Sequence, residues 1–290
     1  MKTFGKSGIK ISAVGFGAGH IGGNNLTEAE VSSLLNSVVD LGINLFDTAR
    51  AYSLSEERIG RHLSHRRKDI VISTKVGYGI AGVNDWTYDS VIRGIDEALV
   101  KLKTDFVDIV HLHSCSLDVL QKGDVIEALM KTLENGKIRV AAYSGENEEL
   151  DFAAATGKFG SLQFSINLFD QRSIDNILSS ARQQNLGVIA KRPIANVPWK
   201  FSERPKGEYC EEYWLRMKKM NLNLDIDWLE AAVRFTAFTE GVSSCIIGSS
   251  SINNIKQNIM NLEKGKLPGD LYSSIRKSFR ENDENWIGQI

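Results

Sequence analysis

Apolar positions along this chain follow two alternating periods. In "TEAEVSSLLNSVVDLG", Val31, Leu34, Leu35 and Val38 recur at three- and four-residue steps and line one face of a helix. Thr27 and Glu30 make a capping box at its start, and Gly42 ends it. Elsewhere the apolar runs are short and nearly continuous, as buried parallel strands require. The two patterns take turns. A strand near Val14 to Gly17 precedes the helix from Thr27. "INLFD" then leads to "SEERIGRHL", "DIVIST" to "DSVIRGIDEALVKL", and "DFVDIVHLH" to "DVIEALMKTLENG". "IRVAAYS" leads to "NEELDFAAAT", "LQFSIN" to "IDNILSSARQQN", "GVIAK" to "DWLEAAVRFTAFT", and "SSCIIGS" to "NNIKQNIMNLE". Eight such strand–helix pairs predict an α/β protein, a closed (β/α)8 TIM barrel spanning residues 1–290 as a single domain. The opening "FGKSGIKIS" predicts an N-terminal β-hairpin turned at Lys6-Ser7-Gly8. After the seventh strand, Ala195 to Asn223 is too long for an ordinary connection and predicts a functional loop, with Phe201, Tyr209, Tyr213 and Trp214 among its charges.

Composition narrows the function classes. The formal net charge is −1 and there is no polybasic run, so nothing draws the chain to nucleic acid or an anionic membrane. Apolar runs fall far short of the ~18 residues of a membrane span. The N-terminal "MKTFGKSGIKIS" lacks the apolar stretch of a secretory signal. Cys115, Cys210 and Cys245 are odd in number and widely spaced, which fits reduced thiols in a cytoplasmic protein. With only 4 prolines and no biased tract, no linker is expected.

In such a barrel the chemistry gathers where strands end. The polar residues at those ends are Asp47 with Tyr52 beyond it, Lys75, His111 and His113, Ser144, Gln163 and Asn167, Lys191 and Arg192, and the serines 249 to 251. A free phenol, with a pKa near ~10, is a weak acid at neutral pH. An ammonium beside a phenol favours the phenolate left when the proton departs, and a carboxylate keeps the ammonium charged. Ser53 and Glu56 are expected to cap the helix after Tyr52, whose positive end adds a little. A histidine beside the phenol can orient a carbonyl oxygen. Each residue alone has a bland reading: Asp47 as a capping acid, Lys75 as a solvated strand end, Tyr52 as a hydrophobic staple, His113 as a core histidine. Four of these types at consecutive strand ends point instead to proton delivery onto a carbonyl oxygen while a hydride reaches its carbon.

The segments "FDTARAYSLSEERIG", "VISTKVG", "DFVDIVHLHS", "LQFSIN" and "CIIGSSSINNIKQN" resemble the aldo-keto reductase superfamily, and the resemblance runs over essentially the whole chain. It implies a nicotinamide-dependent reductase of small aldehydes, ketones or sugars, with NADPH/NADP+ as the usual cofactor and NADH as an alternative. It maps the catalytic set onto Asp47, Tyr52, Lys75 and His113, with Tyr52 as general acid. His113 is chosen over His111 because it follows Asp108 by five residues. Cofactor contacts map to Gly17, Ser144, Gln163, Lys191, Arg192, Pro193, Gly248, Ser249, Ser250, Asn254, Gln257 and Asn258. Three departures stand out. Gly145 replaces the family's usual Asn after Ser144. Lys191 stands where an aromatic ring often stacks on the nicotinamide, leaving Arg192 to stack or to bind pyrophosphate. Neutral Asn254 occupies the place of a cation for the 2′-phosphate. Ser114 and Gly19 leave two bulky pocket positions empty, and Ile21, Tyr78, Trp86 and Trp199 are the expected pocket walls.

Other readings compete. His111 and His113 alternate on one strand and would suit a metal-dependent barrel hydrolase, although His20, His62 and His65 are poorly placed to join them. "GAGHIG", Gly17 to Gly22, fits a dinucleotide fingerprint but does not open a helix at once. A non-catalytic cofactor-binding regulatory subunit is the third. A monomer is expected, and the substrate is not legible.

Overall fold

The N-terminal hairpin pairs β1 (Lys2–Thr3) with β2 (Lys10–Ile11), Lys2 opposite Ile11. Its turn is a single 3₁₀ turn over Gly5–Ser7, closed by Gly8 at φ 75°. In the computed structural model, which describes residues 1–289, this hairpin plugs one end of a barrel. Phe4, Ile9 and Ile11 pack there against Leu45, Val71, Ile109, Val140 and Ile189. Gly187 is required beneath the plug, because a Cβ there would come 2.5 Å from the Phe4 ring.

The barrel consists of β3 (Val14–Gly17), β4 (Leu45–Asp47), β5 (Val71–Val76), β6 (Val107–His113), β7 (Ile138–Ser144), β8 (Ser161–Ser165), β9 (Gly187–Lys191) and β10 (Ser244–Ile247). They close in chain order, β10 pairing with β3, all parallel. The expected (β/α)8 barrel and hairpin are therefore both present. The dinucleotide-fingerprint reading fails, since Gly17 ends a barrel strand and Ala18–Ile21 form a 3₁₀ turn rather than a helix.

Helices α1 (Glu28–Asp40), α2 (Ser55–Leu63), α3 (Tyr88–Leu102), α4 (Leu117–Lys122), α5 (Asp124–Glu134), α6 (Asn147–Ala155), α7 (Arg172–Asp175) and α8 (Ile177–Gln183) follow the strands in turn. α1 carries the predicted capping box from Thr27 and Glu30, and Val31, Leu34, Leu35 and Val38 are buried on it. The predicted cap of α2 is not formed. Ser53 adopts φ 49°, no side chain caps the helix, and buried Glu56 accepts from Thr74 Oγ1 at 2.6 Å, bracing α2 against β5.

The Ala195–Asn223 stretch is partly helical: Pro198–Lys200 make a 3₁₀ turn and Glu211–Met220 form α9. α10 (Trp228–Phe238) and α11 (Ile252–Glu263) complete the eight units. A further helix, α12 (Gly269–Asn282), lay outside the predicted pattern and buries Ile275 and Phe279. Among the described residues, no helix is long and apolar enough to cross a membrane. The three cysteines are buried and unpaired.

Candidate active site

Parallel register places the site. Asp47 pairs with Ser73 across β4 and β5, Lys75 with His111 across β5 and β6, and His113 with Ser144 and then Gln163 across β6, β7 and β8. Side chains at these positions converge on one rim, since alternate strand residues face the same side. Asp47, Tyr52, Lys75 and His113 all line one cavity of about 510 Å³.

At its floor Lys75 Nζ donates to Asp47 Oδ2 at 2.6 Å and to the Thr48 carbonyl at 2.7 Å. Both residues of this ion pair are at most 2% exposed. Burial alone would drive each toward its neutral form. The charge on Lys75 and hydrogen bonds from Lys75 and Gln163 outweigh that cost and hold the Asp47 carboxyl below its ordinary value. The Asp47 charge likewise lifts Lys75 above its own. The Lys75 ammonium also sits 5.0 Å from the centre of the Tyr52 ring. His113 presents its ring edge-on to Tyr52, with centroids 6.2 Å apart. Burial, reinforced by the charge of Lys75, pushes His113 down to about 3, so its ring is neutral at neutral pH.

His111 points inward, fully buried, with Nε2 3.0 Å from Ser73 Oγ. Ser73 in turn donates to Asp47 Oδ1 at 2.8 Å. Burial also pushes His111 down to about 3. Among the described residues no three His, Cys, Asp or Glu side chains gather as a metal site would need; His111 joins the carboxylate network through Ser73, and His113 meets the Tyr78 hydroxyl instead.

Gln163 lines the cavity, but its amide is engaged. Nε2 donates to Asp47 Oδ1 at 2.8 Å, and Oε1 accepts from Ser144 Oγ at 3.0 Å. The carboxylate accepts only, which fixes the amide in this orientation. Lys191, at the position where the resemblance implies a stacking ring, meets Glu146 at 3.1 Å, and burial lowers the Lys191 ammonium against that pairing. Arg192, at φ 53°, donates to Ser165 Oγ at 3.1 Å, to the Gln289 carbonyl and to the Tyr209 hydroxyl. Its guanidinium lies over the Tyr209 ring, 5.0 Å from the centroid. Gly17, Pro193 and Gly248 line the same cavity.

Ser249, Ser250, Asn254, Gln257 and Asn258 continue from Gly248 into α11, beyond the cavity lining. Ser249 Oγ accepts from the Ser251 N–H at 3.0 Å and from Asn254 Nδ2 at 3.2 Å, and Gln257 donates to Asn261. Asn258 is 3% exposed and its Oδ1 has no partner.

Of the four expected walls, Tyr78 lines the cavity. The other three need correcting. Ile21 is fully buried in the core. Trp86 packs behind Tyr78, centroids 5.2 Å apart, and not on the cavity. Trp199 stacks on Trp228 at 5.8 Å and lines a separate hollow with Met217. Sequence reasoning missed Ser73 and Glu146, and placed Tyr209 in the functional loop without assigning it to the cavity that it lines. Ser73 was recoverable, lying two residues before Lys75 on the same strand face. Glu146 lies in the loop beyond β7, past the reach of any alternation, and its partners come from other strands.

A family model described as the aldo/keto reductase family matches residues 13–279. L-galactose dehydrogenase of Arabidopsis thaliana is 25% identical over 289 residues, 89% of this chain and 86% of that protein. A probable voltage-gated potassium channel subunit beta from the same plant is 40% identical over 119 residues, 39% of this chain and 36% of its own length. Among solved structures, the holo form of an aldo-keto reductase from Bacillus halodurans matches with a TM-score of 0.82 at 25% identity, covering 96% of this chain and 95% of that one.

Proposed function

The chain belongs to the aldo/keto reductase family, and is an oxidoreductase; on that premise we propose that it reduces an aldehyde, ketone or sugar carbonyl to the alcohol, or runs the reverse, with Tyr52 as general acid and base. The carrying observation is the buried Asp47–Lys75 pair beneath the Tyr52 ring, with neutral His113 at its edge. When bound, a nicotinamide cofactor supplies the hydride. The Tyr52 hydroxyl hands its proton to the carbonyl oxygen, the Lys75 ammonium offsets the charge left on the phenol, and Asp47 keeps that ammonium protonated. His113 holds the oxygen in place.

The residues fit the cofactor unevenly. Asn258 offers a buried amide oxygen without a partner, suited to accept from the exocyclic amine of an adenine. Ser144 and Gln163 border the cavity, with Gln163 drawn toward Asp47. Assay of a panel of aldehydes, ketones and sugars with NADPH and NADH tests this reading; no turnover of any carbonyl with either cofactor would overturn it. That outcome would favour the second reading, a non-catalytic cofactor-binding subunit, which draws support from the potassium-channel-subunit relative.

NADPH is proposed as the preferred cofactor, by a modest margin. α11 begins at Ile252 with no side chain capping its first N–H groups, and such groups favour a phosphate. Asn254 brings no charge and its amide already donates to Ser249. Lys256 stands two residues along the helix, on another side. A charge-assisted contact contributes about 1.5–3 kcal/mol, roughly 10- to 150-fold in affinity. Asn254→Arg should therefore tighten NADPH within that range, leave NADH nearly unchanged, and make NADPH binding more salt-sensitive. Titration of both cofactors at low and high salt checks this. Discrimination above ~1,000-fold in the unaltered protein would mean that another cation reaches the phosphate.

A further inference from the structure

The geometry points to Tyr78 as a positioning residue that sets the tautomer of His113, donating its phenolic proton to Nδ1 so that Nε2 carries the ring proton into the cavity. This inference rests on the carbonyl-reduction reading and specifies how His113 serves it. Tyr78 Oη lies 3.0 Å from His113 Nδ1, and the two rings stack at 23° with centroids 5.5 Å apart. A neutral imidazole has one N–H to place and two nitrogens to place it on. If the proton sat on Nδ1, Nε2 would face the substrate as a lone pair and repel a carbonyl oxygen. With the proton on Nε2, His113 presents a donor where negative charge develops.

The direction of the Tyr78–His113 bond follows from the two partners. A phenol is a stronger donor than acceptor, and an imidazole nitrogen is a strong acceptor. Burial raises the Tyr78 phenol above its ordinary value, so the proton that it shares with Nδ1 stays on the phenol side. No other protein group bonds the Tyr78 hydroxyl among the described residues.

Tyr78 is itself braced. Trp86 packs against it at a 55° tilt, and Trp86 fits only because Gly77, at φ 133°, lacks a Cβ, which would lie 2.1 Å from the indole. The Trp86 backbone N–H donates to the Gly77 carbonyl at 2.7 Å. Arg50 clamps the Gly79 carbonyl from Nε and Nη2 at 3.0 and 2.7 Å and pairs with Glu97 at 2.5 Å. Trp86, Tyr78 and His113 thus form one packed wall that ends on the reacting-side imidazole.

The test uses Tyr78→Phe, which keeps the ring with its contacts to Trp86 and His113 and removes one hydroxyl. Long-range ¹⁵N–¹H spectra of the ¹⁵N-histidine-labelled protein should show the Nε2–H tautomer for His113, and a mixture of both tautomers in Tyr78→Phe. Loss of the tautomer bias should lower kcat for carbonyl reduction about 3- to 10-fold with KM little changed, the size of one net hydrogen bond. In a His113→Ala background, which has no ring to orient, Tyr78→Phe should cost nothing further. A proton on Nδ1 in the unaltered protein, an unmoved tautomer in Tyr78→Phe, or a kinetic penalty that persists in His113→Ala would each overturn the assignment. A carbonyl panel without turnover, alongside the Nε2–H tautomer and its loss in Tyr78→Phe, would uphold the assignment and overturn the reductase reading instead.

Discussion

Tyr52→Phe should lower carbonyl reduction by roughly 10²- to 10⁴-fold in kcat, the usual contribution of one positioned general acid. The effect is confined to one oxygen because everything around the ring is retained. Phe at this position still lies 5.0 Å over the Lys75 ammonium and still meets the His113 ring edge-on. The Asp47–Lys75 pair does not depend on the hydroxyl, since Asp47 and the Thr48 carbonyl already take two of the ammonium donors. Folding and cofactor affinity should therefore stay close to those of the unaltered protein. Turnover measured beside cofactor fluorescence quenching separates the two. Reduction within about threefold of the unaltered protein would remove Tyr52 from the proton transfer.

Lys75→Met should carry the largest stability cost, about 3–5 kcal/mol at neutral pH, because it strands a buried carboxylate. Asp47 is 1% exposed and would keep only the Ser73 hydroxyl and the Gln163 amide as donors. In the unaltered protein the Asp47 carboxyl is depressed and the Lys75 ammonium raised. The carboxylate's share of stability is thus present above its unfolded pKa of ~3.9 and is lost as pH falls through the lower folded value. The ammonium's share is present below ~10.4 and is lost as pH rises through the higher folded value. In Lys75→Met the sign for Asp47 reverses, since burial without a counter-charge raises its folded pKa above the unfolded one. The variant's stability should fall as pH rises from about 4, and its deficit relative to the unaltered protein should widen between pH 4 and 7. Denaturant unfolding at several pH values checks this. Adding Asp47→Asn should recover much of the loss, since no buried charge then remains. A deficit that is flat with pH, or unchanged in the double variant, would show that the cost of Lys75→Met is packing and not an unpaired charge.

The two substitutions read different parts of one network. Tyr52→Phe removes the proposed proton donor and leaves the electrostatic floor intact. Lys75→Met removes that floor and leaves the donor hydroxyl without its cation. If the proposed reaction is right, both lose turnover, while only the second loses stability.

Much of this protein was written in local sequence. Val31, Leu34, Leu35 and Val38 mark α1 by spacing alone, and Thr27 with Glu30 mark its start, because helix periodicity and capping involve residues within a turn or two. Eight apolar runs, each ahead of a helix, admit a closed parallel barrel, and a barrel puts strand ends on one rim; hence Asp47, Lys75 and His113 were legible as neighbours although far apart in the chain. Tertiary structure decided the partners. Gln163 bonds Asp47 across 116 residues, through the barrel interior, and nothing near either residue announces it. Glu146 meets Lys191, Tyr78 meets His113, and Trp86 turns behind Tyr78 instead of into the cavity, because each contact depends on strand register and on which loop has room for a ring. Side-chain type and spacing fix which face a residue occupies; which donor finds which acceptor is fixed only when the closed barrel brings distant strand ends within about 3 Å.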